Sequence, residues 1–282
     1  MKIKELSHSD VLDILPDRKP DSHKGDYGRI LLLCGSKGYT GAAALSAMGA
    51  LRAGAGLVYL AVPESIYQIE AVKLTEPIVV PLQDEDGKMA IASIDKICKL
   101  MDQMDAVLVG PGIGQSNSVT QVVKTVLEMF PGPVIVDADG INALTQHKDI
   151  LRGRTAPTIL TPHPGEFMRL AGDIGVDRME SARNLAKELG VIVVLKGHNT
   201  VITDGERCYI NKTGNPGMAV GGSGDVLAGM ITALVGIGLK PIDAASCGAW
   251  LHGAAGDLCS QELGQYAMLP SDVLDALPRL LK

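Results

Sequence analysis

Continuous apolar runs bounded by turn residues recur along this chain, at Ile30–Cys34, Leu57–Val62, Ala106–Val109, Val134–Val136, Thr158–Leu160 and Val191–Leu195. A strand that is apolar on both faces must be covered on both faces, so these runs predict the buried strands of a parallel sheet. Helical stretches lie between them, at Ala42–Ala53, Ser118–Phe130 and Arg178–Leu189. Strands alternating with helices imply right-handed βαβ units, hence an α/β fold with a mostly parallel central sheet and helices on both faces. Aromatic residues make up 3% of the chain, so the core must come from Ala, Val, Ile, Leu and Met. Such a core suits a sheet under helices and argues against an aromatic-lined groove for sugars or nucleic acid.

After Val191–Leu195 the pattern changes. Thr200–Thr203 and Arg207–Ile210 flank Asp204-Gly205, a hairpin signal. A Gly-rich loop follows over Asn211–Gly224, then an almost wholly apolar helix from Asp225 to about Val235 and a small-residue helix over roughly Ile242–Glu262. A helix apolar all round belongs at the centre of a fold. The small-residue stretches near Met48 and Ala244 are candidates for packing between subunits. Glu76–Lys88, with Pro77, Pro81 and the run Asp84–Asp86, reads as a surface excursion. With no repeat, low-complexity segment or linker in its 282 residues, the chain reads as one domain, 1–282.

The formal net charge is −6 and no basic block exists, which excludes a nucleic-acid partner. An anionic small molecule stays compatible, because backbone amides, a few cationic side chains and a metal ion can make a local positive field. Five cysteines in no CxxC pair read as reduced thiols and point to the cytoplasm. The N-terminus has no apolar signal-peptide core, and the longest uncharged apolar stretch, Val226–Leu239, is too short to cross a bilayer, so no membrane association is expected.

The chemistry gathers in loops that leave predicted strands. Asn215-Pro-Gly-Met-Ala-Val-Gly-Gly-Ser-Gly-Asp225 leads straight into the buried helix. Its glycines let the backbone approach a phosphate closely, and the helix N-terminus adds its positive dipole end. Asp225, in the first turn, is a candidate general base, the competing reading being a Gly-rich turn with an acidic cap. No Gly-Lys-Ser/Thr follows, so this is not a Walker A loop, and no first βαβ unit precedes it, so it is not a dinucleotide fingerprint.

Gly35–Ala44 opens a helix after a strand, with small residues at Ala42–Ala44 that leave room for a ligand or for close helix packing. Gly110–Gly114 ends another strand, where ligands gather in parallel sheets or a tight turn suffices. Asp137 is a candidate for holding a hard cation through water, while Asp139 has the commoner role of helix cap open to it. His163 is held between Pro162 and Pro164, with Glu166 at a helix start. Lys196-Gly-His-Asn-Thr200 follows the last buried strand, where Lys196 can neutralise phosphate or simply decorate a turn.

Asn215-Pro-Gly-Met with Gly221-Gly-Ser-Gly-Asp225 resembles the ADP/ATP-dependent NAD(P)H-hydrate dehydratases of the ribokinase-like superfamily. His23-Lys-Gly-Asp-Tyr-Gly-Arg-Ile, Gly35-Ser-Lys-Gly-Tyr-Thr-Gly-Ala, Gly110-Pro-Gly-Ile-Gly, Val136-Asp-Ala-Asp-Gly-Ile-Asn-Ala-Leu and Leu160-Thr-Pro-His-Pro-Gly-Glu fit the same family in the same order. The likeness covers nearly the whole chain; the departure is Ser223 where Thr is usual.

The resemblance implies a ribokinase-like three-layer fold and a nucleotide-consuming dehydration of NADHX or NADPHX. Ala42, Gly112, Gly114, His163 and Asp225 would touch that substrate. Lys196, Gly197, His198, Asn199, Thr200, Gly222, Ser223 and Gly224 would bind the nucleotide, and Asp225 would be the catalytic base. Glu166 matches the acidic position that organises Mg²⁺ and phosphates, with ADP or ATP as donor. A homotetramer and the ADP-using bacterial-type branch are implied as well, since no epimerase domain precedes the first strand. A small-molecule kinase of the hydroxymethylpyrimidine or hydroxyethylthiazole type shares the Gly-Gly-x-Gly-Asp motif, and only the Asn215 and Lys24-Gly-Asp-Tyr-Gly segments separate the two. A catalytically silent nucleotide-binding module would not need Asp225. A dinucleotide-binding dehydrogenase would need a GxGxxG spacing that Gly35–Gly41 lacks.

Overall fold

A computed structural model of the protein describes residues 3–281. After β1 (Ile3–Lys4) and α1 (His8–Ile14), βα units follow in sequence: β2 (Arg29–Leu33), α2 (Thr40–Arg52), β3 (Leu57–Pro63), α3 (Glu64–Lys73) and β4 (Ile78–Leu82). A two-stranded hairpin, β5 (Asp84–Glu85) and β6 (Lys88–Met89), precedes α4 (Ile94–Met101). The middle of the chain runs β7 (Ala106–Val109), α5 (Asn117–Met129), β8 (Val134–Val136), α6 (Asp139–Leu144), α7 (Asp149–Arg152), β9 (Thr158–Leu160), α8 (Pro164–Ala171), α9 (Arg178–Leu189) and β10 (Ile192–Leu195). Strands β11 (Thr200–Thr203) and β12 (Cys208–Asn211) and helices α10 (Ser223–Gly236), α11 (Pro241–Leu263) and α12 (Pro270–Ala276) complete it.

The main sheet has ten strands in the order β1-β12-β11-β10-β9-β8-β7-β2-β3-β4. Pairing is parallel from β4 to β10, antiparallel through the β10–β11–β12 hairpins, and parallel again between β12 and β1. Alternate strand residues serve two separate cores, as the period of two requires. Ile30, Leu32, Leu60, Leu108 and Ile135 meet α2, α10 and α11 on one face; Leu31, Leu33, Val107, Val109 and Val136 meet α4, α5, α8 and α9 on the other. This is a three-layer α/β/α arrangement.

Glu76–Lys88 is not a surface excursion. Ile78–Leu82 pairs in parallel with β3, with Pro81 opposite Val62, and forms the edge of the main sheet. An edge strand tolerates proline because one side of it has no ladder to donate to. The small-residue helices are spent inside the subunit as well: a Cβ on Gly229 of α10 would lie 2.0 Å from the Ser46 carbonyl of α2, and Ala244 of α11 is fully buried. Small residues there let backbones touch within one core, so the stretches near Met48 and Ala244 carry no argument for a subunit interface.

The Gly-rich loop is shorter than the reading Asn211–Gly224. Asn211 belongs to β12, Pro216–Met218 is a short 3-10 turn, and α10 begins at Ser223. Gly222 is its N-cap, with φ 99°, a left-handed conformation that glycine adopts without cost; a Cβ there would lie 2.4 Å from Leu45 Cδ1. Ser223, Gly224 and Asp225 are therefore its first three residues.

Candidate active site

The loops singled out in the sequence leave the carboxyl ends of β2, β7, β8, β9 and β10 and meet the N-terminus of α10. From β2 the chain builds outward through β3 to β4, whereas β7, β8, β9 and β10 build the other way. The crevice between the β2 and β7 loops is thus a topological switch point, where open α/β sheets bind ligands. The two loops are tied together across it: Gly35 N–H donates to the Pro111 carbonyl at 2.8 Å, and Ser36 Oγ donates to the Gly112 carbonyl at 2.7 Å.

At the centre lies Lys196. Its Nζ is 2.7 Å from Asp137 Oδ1 and 3.9 Å from Glu166 Oε2. Asp137 Oδ1 also accepts from Thr161 Oγ1 at 2.7 Å. A Cβ on Gly224 would lie 3.2 Å from Lys196 Nζ, so the first turn of α10 passes directly against the ammonium. Burial by itself would lower the Lys196 pKa, but the Asp137 and Glu166 carboxylates outweigh it and hold the pKa above its usual value. Lys196 stays charged. Asp225 behaves oppositely: burial first, then repulsion from Asp137, push its pKa up to about 7 against the pull of Lys196. A carboxyl that can gain or lose its proton near neutrality suits a general base.

Glu166 is the third residue of α8 and closes a capping box. Its Oε2 accepts from the His163 backbone N–H at 2.8 Å, while His163 Nδ1 accepts from Gly165 N–H at 3.0 Å. Burial raises the Glu166 pKa, with Lys196 opposing. The two open aspartates now separate. Asp139 is not the helix cap: Ala138 is the N-cap of α6 and Asp139 its first residue, accepting from Gly114 N–H at 2.9 Å and from the Gln115 and Asn142 side chains at 3.3 Å, which fixes the Gly110–Gly114 loop. Asp137 faces Lys196 instead. Between them Ala138 adopts φ 48°, costly for a residue with a Cβ and the kind of strain that clusters at functional sites.

The loops that follow β2 and β7 also meet closely beside this cluster. A Cβ on Gly112 (φ 62°) would lie 2.7 Å from Ala42 Cβ and 3.0 Å from Tyr39 Cβ. Gly112→Ala therefore combines backbone strain of about 1–2 kcal/mol with a methyl group in the crevice. It is expected to raise the Michaelis constant for the acceptor at least tenfold while calorimetry finds nucleotide affinity unchanged.

Some site residues are less tightly assembled. Gly197, His198 and Asn199 are exposed, Asn199 with φ 55°, and the Thr200 hydroxyl is turned back to the Gly197 carbonyl at 2.9 Å. The residue that holds this segment was not legible in the sequence. Arg178, at the start of α9, donates to the carbonyls of Leu195 (3.3 Å), Lys196 (2.9 Å) and His198 (2.8 Å). Nothing about an arginine at a helix start marks it as a clamp. Arg178→Ala removes three charge-assisted bonds, and a rise of about tenfold or more in the nucleotide Michaelis constant with little change in kcat is expected.

The carboxylates of Asp137, Asp139, Glu166 and Asp225 outnumber the one ammonium among them. Among the described residues no three acidic, His or Cys side chains are set to hold a metal by themselves. That donor set fits Mg²⁺, which keeps most of its shell as water and phosphate oxygen and needs only one or two carboxylates.

Comparisons with known proteins identify the family. The NAD(P)H-hydrate dehydratase family profile matches residues 30–279. A bifunctional NAD(P)H-hydrate repair enzyme of Moorella thermoacetica is 46% identical over 95% of the chain, which spans about half (52%) of that longer relative. An ADP-dependent (S)-NAD(P)H-hydrate dehydratase of Bacillus subtilis is 36% identical over 100% of this chain and 99% of its own length. The crystal structure of the Bacillus subtilis ADP/ATP-dependent NAD(P)H-hydrate dehydratase, co-crystallised with ATP/Mg²⁺, superposes with a TM-score of 0.86 at 36% identity, covering 99% of this chain and 98% of that one. A ribokinase-like superfamily protein of Enterococcus faecalis gives 0.86 at 28% identity over 99% of this chain and 95% of its own. With a ribokinase-like fold and the profile matched over most of its length, the chain belongs to the NAD(P)H-hydrate dehydratase family.

Proposed function

We propose that the chain dehydrates (6S)-NADHX and NADPHX to NADH and NADPH, with ADP or ATP as phosphoryl donor. One observation carries the reading: a titratable Asp225 in the first turn of α10, where a Cβ on the preceding Gly224 would lie 3.2 Å from Nζ of the Lys196–Asp137 pair. The Asp225 carboxylate takes the proton of the added ring hydroxyl. The hydroxyl oxygen attacks the terminal phosphorus of the nucleotide, whose bond to the bridging oxygen breaks to release AMP from ADP, or ADP from ATP. The phosphate ester is a good leaving group, so the ring-nitrogen electron pair expels it, and loss of a proton from the adjacent carbon restores the double bond.

Lys196 and the amides of Gly222–Gly224 face the transferring phosphoryl group, with Gly197–Thr200 along the nucleotide. Ala42, Gly112, Gly114 and His163 line the acceptor side. Mg²⁺, when bound, would neutralise phosphate charge; Glu166 would hold it, with Asp137 reaching it through water. The Bacillus subtilis relative's name favours ADP.

Residues 1–282 are proposed to act as one catalytic domain, in the cytoplasm and as a homotetramer. Buried Cys34, Cys208, Cys247 and Cys259 favour a reducing compartment, and among the described residues no helix is long and apolar enough to cross a membrane. Exposed Ile69, Val72 and Ile78 at the α3–β4 edge favour assembly.

The test is direct. Purified protein, Mg²⁺, NADHX and ADP or ATP should regenerate NADH absorbance. No recovery with either nucleotide overturns the dehydratase, and a stable phosphorylated pyrimidine or thiazole alcohol would establish a small-molecule kinase instead.

A further inference from the structure

Helix α11 is bound at several points to the segment that leads into the anion-binding turn. Asn211 Nδ2 donates to the Ala249 carbonyl at 3.0 Å, and Thr213 Oγ1 donates to the Trp250 carbonyl at 2.9 Å. Asp257 accepts from Gly214 N–H at 2.9 Å and from Asn215 Nδ2 at 3.0 Å. A helix tied in this way can impose fixed geometry on the loop it faces. Between these anchors lies His252, 8% exposed, with Nε2 3.4 Å from Ser223 Oγ. Ser223 is the first residue of α10, between the Gly222 N-cap and the glycine that touches Lys196.

We propose that His252 is a positioning residue that directs the Ser223 hydroxyl toward the transferring phosphoryl group of ADP or ATP. The proposal rests on the nucleotide placement given above. A serine side chain has three staggered wells and, at a helix start, competing backbone partners for its hydroxyl. Threonine carries the same hydroxyl but is restricted at χ1 by its methyl group. Serine lacks that restraint, so its orientation depends on a neighbour. Burial, and then the Lys196 ammonium, lower the His252 pKa to about 4, which leaves the ring neutral with one N–H to give. In the tautomer that carries its proton on Nε2, the ring donates to Oγ and the serine keeps its own hydrogen for a phosphate oxygen. The second-layer partner thus creates a first-layer donor without adding charge, as outer-shell groups do around metal ligands.

ADP affinity, measured by calorimetry on the whole protein in a double-mutant cycle, tests this. His252→Ala and Ser223→Ala should each weaken ADP about fivefold to tenfold, the size of one hydrogen bond. The double variant should be no weaker than Ser223→Ala alone, because the histidine acts through the serine. Ser223→Thr in the His252→Ala background, and His252→Gln alone, should recover most of the loss. Losses that multiply in the double variant, or no rescue by threonine, would overturn the proposal. If His252→Ala does not fold, His252→Leu fills the volume without a nitrogen and enters the same cycle. Calorimetry needs no turnover. Failure to regenerate NADH would therefore count against the proposed activity alone, and a failed cycle against His252 alone.

Discussion

Asp225→Asn is expected to lower kcat about a thousandfold, the middle of the range for losing a general base, while ADP affinity changes less than about threefold. The same substitution should stabilise the unliganded protein at alkaline pH, and the sign follows from linkage. Burial and Asp137 raise the folded-state pKa of Asp225 to about 7, well above the ~3.9 of a free aspartate. The fold therefore favours the protonated acid, a contribution fully present below the unfolded value and lost as pH rises through about 7. Above that pH the wild-type protein holds a half-buried carboxylate that it would rather protonate. Melting curves should place Asp225→Asn above wild type at pH 8 and level with it at pH 4. In the wild type, kcat/KM should rise with pH through an apparent pKa near 7. Equal losses of ADP binding and turnover, with a lowered melting temperature, would make Asp225 a structural cap instead.

Lys196→Met should have the largest effect on stability. Lys196 is 19% exposed and its partner Asp137 2% exposed, so the pair is a buried one. Removing one member of such a pair costs about 3–5 kcal/mol, because the other is left as an uncompensated charge. For a chain of this size that corresponds to a fall of roughly 10 °C in melting temperature. Asp137, Glu166 and Asp225 would then face one another without the ammonium, so the deficit should shrink at pH 5, where Glu166 and Asp225, whose pKa values burial raises, more readily take up protons. In the wild type the Lys196 contribution persists through neutrality, since its folded pKa is raised, and is lost only as pH climbs through that raised value. Turnover should fall with it. A melting temperature within 2 °C of wild type at every pH would count against the pair as the support of the site.

Several parts of this arrangement are legible in the sequence for physical reasons. The parallel strands announced themselves because burial on both faces demands uninterrupted apolar sequence, as at Ile30–Leu33 and Val134–Val136. Strand β4 was hidden by Pro81, whose presence argues against a strand until the strand is known to be an edge. Helix α10 begins two residues before the sequence signal for it, because glycines at 222 and 224 weaken the local helix propensity that tertiary packing overrides.

Asp137 and Asp139 carried identical signals two residues apart. One turns to Lys196 and the other to the Gly114 amide, a distinction made by strand-end geometry alone.

The alternation of strands with helices, the layers it builds and the loops in which chemistry gathers all follow from local sequence. Hydrophobic period and turn chemistry are local properties, and a chain carries them openly. Which polar groups meet depends instead on the three-dimensional packing. Lys196 reaches Asp137 across 59 residues, Arg178 holds the carbonyls of a loop after another strand, and His252 comes from a distant small-residue helix to stand behind Ser223. Those encounters depend on how strands are ordered in the sheet and how closely two helices approach. An apolar pattern specifies which face is buried but not which side chain it will face.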